Sequence, residues 1–266
     1  MTEANQQSPI SHQQLALAII PARFASTRLP GKPLLDRTGK PMIQHVVERV
    51  REAKHVGRVV VATDDQRIFD AVTRFQGEAV MTRADHPNGT SRLAEAATLL
   101  FGPQPPTPNP QSPLIVNVQG DEPEVDPAVI DRLIEGLAAD PDAPMATLAS
   151  DFAPGEDPAN PNIVKLVVSA AGRALYFSRA LIPFDRDQAG QHKPLKHPGL
   201  YAYRRWFLHR YVQLAPTPLE ETEKLEQLRV LEHGHPIAIV HANVHHTGID
   251  TPDQYDAFVR RTQSPT

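Results

Sequence analysis

The chain has 266 residues, no cysteine, and a net charge of −4 from 27 basic and 31 acidic side chains. That length can bury one large core or two small ones. Missing thiols exclude disulfides and thiolate metal sites and fit a reducing compartment, and the mild negative charge argues against a broadly basic nucleic-acid surface.

In chain order, residues 1–14 are polar and Gln-rich, without the basic start and apolar centre of a secretory signal, and read as a disordered tail. Nowhere is there a run of about 18 apolar residues, so no membrane span is expected. The apolar stretch Leu15-Ala16-Leu17-Ala18-Ile19-Ile20 reads as a buried strand that stops at Pro21. The loop after it carries three cations, Arg23, Arg28 and Lys32, and two hydroxyls, Ser26 and Thr27. A helix follows Pro41, with Met42, Ile43, Val46, Val47 and Val50 on one face. Arg58-Val59-Val60-Val61-Ala62 is a second strand, and Asp64 is placed either to cap the helix expected over 66–75 or to meet a ligand. A short strand at 79–82, a polar loop at 83–90 and a helix at 91–101 come next. Gly89-Thr90 either offers free N–H groups to an anion or base edge, or simply caps that helix.

Six prolines in residues 102–113 mark a stiff exposed connector. Residues 114–119 form another buried strand, followed by Gly120-Asp121-Glu122-Pro123, a helix over 127–139 and a strand over 145–149. Strand, loop and helix repeated four times predict a mostly parallel sheet with helices on both faces. The pattern changes near Ser150. Segments 164–169 and 174–178 alternate around Ala171-Gly172 as a hairpin, and a strand over 199–203, helices over 204–214 and 220–232, a strand over 236–241 and a helix over 252–261 complete the chain. The second half thus reads as an inserted, partly antiparallel region that returns to the core sheet.

A cationic loop at the C-terminal end of a buried parallel strand suits a polyphosphate. It is not a standard phosphate loop: Ser26 stands where the first glycine of GxxxxGK[ST] belongs, and Pro33 follows Lys32. Side-chain cations must therefore do more of the holding. Asp121 ends an apolar strand, where an acid must be paired, hydrated or metal-bound. Asp250, before Pro252, reads either as a second carboxylate for Mg²⁺ or as a helix cap. The pairs Asp140/Asp142 and Asp185/Asp187 have the DxD form of metal-dependent sugar transferases but are short, common patterns. His241, His245 and His246 lack a partner acid at metal-ligand spacing. No GxSxG or cysteine nucleophile supports acyl transfer.

The run Ile19-Ile20-Pro21-Ala22-Arg23-Phe24-Ala25-Ser26-Thr27-Arg28-Leu29-Pro30-Gly31-Lys32-Pro33-Leu34 resembles the signature of the 3-deoxy-manno-octulosonate (Kdo) cytidylyltransferases. The likeness continues in Val61-Ala62-Thr63-Asp64, Met81-Thr82-Arg83-Ala84-Asp85-His86, Val116-Asn117-Val118-Gln119-Gly120-Asp121-Glu122-Pro123, Asn160-Pro161-Asn162, Leu175-Tyr176-Phe177-Ser178-Arg179, Leu225-Glu226-Gln227-Leu228-Arg229 and Gly248-Ile249-Asp250-Thr251-Pro252.

The resemblance implies a nucleotidyltransferase-like α/β sheet with a smaller, partly antiparallel part that binds the sugar and forms a homodimer. It implies one cytidylyltransferase domain over 15–266: a nucleotide part (15–150), a sugar and dimer part (151–235) and a return to the core (236–266). The implied reaction transfers CMP from CTP to Kdo in the cytoplasm, with Mg²⁺, pyrophosphate release and a product destined for lipopolysaccharide. By the same resemblance Arg23, Arg28 and Lys32 form the triphosphate clamp, with Ser26 and Thr27 in its loop. Asp121 and Asp250 are the metal ligands. Ala22, Arg83, Gly89, Thr90 and Ser91 lie where cytosine is read, and Gln119, Arg179, His197, Tyr201, Glu226 and Gln227 where the sugar acid is held. Ser91 stands where many relatives carry an acid. A sialic acid or 8-amino-Kdo cytidylyltransferase and a DxD glycosyltransferase are the alternatives.

Overall fold

The computed structural model describes residues 15–25, 28–103, 107–109, 112–187, 190, 193–244 and 248–263. The expected tail at 1–14, Ser26, Thr27, His245 and His246 lie outside these. One ten-stranded sheet runs β3 (Glu78–Met81), β2 (Val56–Thr63), β1 (Ala16–Ala22), β4 (Leu114–Asn117), β9 (Tyr201–Arg204), β5 (Met145–Asp151), β8 (Leu195–Lys196), β6 (Lys165–Val168) and β7 (Ala174–Ser178); β10 (Ile237–His241) pairs with β5.

Strand alternation divides the core. Ala18, Ile20, Val59 and Val61 pack on one face against α1 (Met42–Arg51), α2 (Gln66–Arg74) and α4 (Pro127–Ala139). Leu17, Ile19, Val60 and Ala62 pack on the other against α3 (Gly89–Phe101), α5 (Arg205–Tyr211) and α7 (Gln227–Glu232). A strand buried on both faces has no polar side, which is why β1 reads as an unbroken apolar run.

β1 to β4 are mutually parallel, as expected. The sheet then departs from the four-unit pattern: β9 lies between β4 and β5, antiparallel to both. It arrives from the second half of the chain, so local periodicity carried no sign of it. Elsewhere the local differences have local causes. α3 begins at Gly89 because Asn88 caps it, its side chain accepting from the Ser91 N–H. Asp65, not Asp64, caps α2 through the Arg67 N–H. Asp64 instead pairs with the fully buried Arg92, Nη2 to Oδ2 2.7 Å. The helix expected over 220–232 is two, α6 (Pro218–Glu223) and α7, broken where Lys224 turns left-handed (φ 54°).

Strand order places a switch point beside β1. The chain leaves β1 toward β2 and β3 on one side, and β4 joins on the other. Open α/β sheets form crevices at the C-terminal ends of such neighbouring strands. Pro21 has no N–H to share, and pairing of β1 with β4 ends at Ile19 opposite Asn117.

Candidate active site

The cationic loop leaves β1 and the Asp121 turn leaves β4, so the two flank the crevice. Gly120 is required there: a Cβ on it would stand 2.8 Å from the Pro21 carbonyl oxygen. The loop doubles back through Gly31 (φ 66°) into the short 3-10 turn Lys32–Leu34. Leu29 buries its side chain with Met42, Ile249, Tyr255 and Phe258, tying the loop to α8 (Pro252–Gln263) and the segment before it. The Ile249 N–H donates to the Asp121 carbonyl at 2.8 Å. Residues 89 and 218 positions from Lys32 thus converge on it.

The convergence is ionic. Lys32 Nζ lies 2.7 Å from Asp121 Oδ2 and 3.0 Å from Asp250 Oδ1, and Arg28 Nη2 lies 3.1 Å from Asp250 Oδ2. Lys32 is largely buried, while Arg28 is two-thirds exposed. Asp250 is not the cap of α8. Thr251 takes that role in a reciprocal pair with Gln254: the Gln254 N–H donates to Thr251 Oγ1 at 3.3 Å, and the Thr251 N–H donates to Gln254 Oε1 at 3.0 Å. The Asp250 carboxylate therefore faces the cations.

Around this ion cluster lies a cleft of about 430 Å³. Ala22, Arg23, Arg28, Lys32 and Gly89 line one part of it, and Gln119, Gly120, Asp121 and Asp250 another. Arg23 is held by donation from Nη2 to the His86 carbonyl at 2.9 Å. Two carboxylates already sharing a cation are a hard-oxygen donor pair, and Mg²⁺ commonly takes one or two carboxylates and completes its shell with phosphate oxygens and water. The donor set fits that ion. Among the described residues no group of three or more acidic or imidazole side chains would hold a metal without such additional ligands.

A second network runs alongside. Tyr201 donates its hydroxyl to Gln227 Oε1 (3.3 Å), and Gln227 Nε2 meets His197 Nδ1 (3.5 Å). His197 Nε2 meets Thr147 Oγ1 (2.9 Å), which itself donates to the Leu200 carbonyl (2.7 Å). With Nδ1 accepting and Thr147 donating onward, the His197 proton belongs on Nε2 and the ring is neutral. Desolvation agrees, lowering its pKa to about 3. Gln119 Nε2 reaches the Gly199 carbonyl at 3.4 Å. Glu226 accepts from Thr90 Oγ1 (2.8 Å) and Tyr211 (3.3 Å), and burial pushes its carboxyl pKa up.

Thr90 thus turns its hydroxyl toward Glu226. Ser91 donates its hydroxyl to the Asn88 carbonyl at 2.9 Å. Arg83 is exposed, 3.5 Å from Asp85 and 3.6 Å from Glu95. Arg179 is engaged by backbone, donating to the carbonyls of Glu223 (2.8 Å) and Pro161 (3.1 Å). Thr147, Tyr203 and Tyr211 were not anticipated as site residues. Their strand and helix positions read as plain core, and only long-range packing gives them polar partners. Three of the four DxD acids are otherwise engaged: Asp140 and Asp142 both pair with Arg173 (2.7 and 3.3 Å), and Asp185 accepts from the Gly190 N–H.

Residues 17–238 match the cytidylyltransferase family model. The chain is 51% identical over 244 residues to a 3-deoxy-manno-octulosonate cytidylyltransferase of Syntrophobacter fumaroxidans, covering 91% of this chain and 95% of that one. It is 47% identical to the enzyme of that name from Geobacter metallireducens, covering 92% and 96%. A solved CMP:2-keto-3-deoxy-manno-octonic acid synthetase complexed with CTP superposes with a TM-score of 0.84 at 42% identity, covering 93% of this chain and 98% of that one.

Proposed function

The chain belongs to the 3-deoxy-manno-octulosonate cytidylyltransferases, and from that premise we propose how its own residues carry the reaction. The enzyme transfers CMP from CTP to the anomeric hydroxyl of Kdo. A bond forms between that oxygen and the α-phosphorus, the bond to pyrophosphate breaks in line, and the hydroxyl proton is released to solvent. Such transfers depend mainly on positioning and on charge placed where charge develops.

Arg23, Arg28 and Lys32 hold the triphosphate, and Arg28 and Lys32 neutralise the β and γ phosphates as they depart. Asp121 and Asp250 hold Mg²⁺. Once bound, that ion supplies charge neutralisation and orientation at the phosphate oxygens. Lys32 now stands between the two carboxylates, so ligand binding exchanges its partners from carboxylate to phosphate. Ala22, Gly89, Thr90 and Ser91, with Arg83, read the cytosine, and Ser26 and Thr27, outside the described residues, belong to the same nucleotide-binding proposal. Gln119, His197, Tyr201, Glu226 and Gln227 orient the sugar acid, and Arg179 braces the segment that carries Glu226. The neutral His197 serves as a hydrogen-bonding group, not as a counter-charge.

The observation that carries this reading is the meeting of Lys32, Asp121 and Asp250 at the β1/β4 switch point. A homodimer through the smaller β region belongs to the same reading; the exposed side chains of Leu175, Leu181 and Phe184 support it. Among the described residues no helix is long and apolar enough to cross a membrane, and a cytoplasmic site of action accords with CTP as substrate.

A panel of four nucleoside triphosphates against Kdo, 8-amino-Kdo and sialic acid, read as pyrophosphate release, tests the assignment. CTP with Kdo is expected to give the highest turnover per KM. A preference for another base or for sialic acid would overturn it.

A further inference from the structure

Nothing in the ion cluster itself explains what fixes the cationic loop on its outer side. Phe24, the residue after Arg23, has one answer. The Arg67 guanidinium carbon lies 3.3 Å from the centre of its ring. Arg67 is held flat by the carboxylate that caps its own helix, with Nε to Asp65 Oδ1 at 2.9 Å and Nη2 to Oδ2 at 2.6 Å. The ring also meets Gly31, where a Cβ would come within 3.3 Å of two Phe24 ring carbons. The Gly31 N–H reaches back to the Phe24 carbonyl at 3.3 Å. Phe24 packs on the core cluster beneath the sheet as well.

We propose that Phe24 and Arg67 are positioning residues for the nucleotide: an Asp65–Arg67–Phe24–Gly31 stack that pins the loop carrying Arg23, Arg28 and Lys32 to α2. This rests on the clamp reading above. A cation over an aromatic face is attracted to it even where water reaches the cation, as it does at the exposed Arg67. A planar guanidinium stacks where an ammonium does not. Fixing the loop before CTP arrives removes an ordering cost from nucleotide binding alone. Kdo, held by Gln119 of the β4 exit and by residues of β9 and α7 and their approaches, none of which touches Phe24 or Arg67, should not sense it.

The test compares steady-state KM for CTP and for Kdo in Arg67→Met, Phe24→Leu and Phe24→Tyr, with Lys32→Ala alongside. Arg67→Met and Phe24→Leu should each raise the CTP KM about fivefold, with the Kdo KM within about twofold of wild type. Phe24→Tyr keeps the aromatic face and should restore wild-type values. Wild-type CTP KM in both Arg67→Met and Phe24→Leu, while Lys32→Ala is impaired, would overturn the positioning role and leave the clamp standing. An unimpaired Lys32→Ala would overturn both. Equal rises in both KM values, or Phe24→Tyr as poor as Phe24→Leu, would mark a general packing role and also overturn the proposal.

Discussion

Single residues set the charge at the site. Asp250 has the position of a helix cap, but Thr251 and Gln254 cap α8 between them. Its carboxylate is left to Lys32 and Arg28. His197 presents the opposite case, an ionisable group kept from ionising. Its pKa falls from 6.5 to about 3 by desolvation. The unfolded chain therefore binds the extra proton first as pH drops. The stabilisation is fully present above about pH 6.5 and is lost as pH falls toward 3, at about 1.4 kcal/mol per pH unit within that window. Equilibrium unfolding of wild type and His197→Gln between pH 7 and 4 should show the steeper decline in wild type. Parallel curves would mean that the folded ring protonates normally.

At the scale of elements, the exits of β1 and β4 are built to nearly touch. Gly120→Ala would drive a Cβ against backbone, which cannot swing aside as a side chain would. The strand ends must part, at about 1–3 kcal/mol for the overpacking. The displacement falls beside Asp121, so turnover should drop together with the melting temperature, and a thermal scan paired with a pyrophosphate assay would show both. The break between α6 and α7 is simpler. Lys224 sits at φ 54° without the freedom of glycine, and Lys224→Gly should stabilise the protein by up to about 1 kcal/mol in denaturant unfolding. These elements also show what the sequence concealed. Lys224 and Gln76 adopt left-handed conformations that glycine usually marks, and helical periodicity simply continues across 220–232. Asp64 and Asp65 are adjacent acids, and only the buried Arg92, brought over by α3, takes Asp64 away from capping.

Across the whole molecule, legibility followed locality. The apolar runs of β1, β2 and β4, their turns and the helices between them were readable because each is set by near neighbours. The insertion of β9 between β4 and β5 was not, since its partners are a sequence distance away that no periodicity records. The same holds at the site. The cations of the β1 loop and Asp121 could be picked out one at a time from their strand-end positions. Their meeting with Asp250, and the stacking of Arg67 on Phe24, exist only once the sheet brings three parts of the chain together. On the mechanism proposed above, function is correspondingly a property of the assembled crevice: cations from the start of the chain, one acid from its middle and one from near its end. The most direct test of that claim is the turnover of Asp121→Ala in pyrophosphate release with CTP, Kdo and Mg²⁺. The account predicts a fall of about two to three powers of ten with an intact unfolding transition. Turnover near the wild-type value would contradict it.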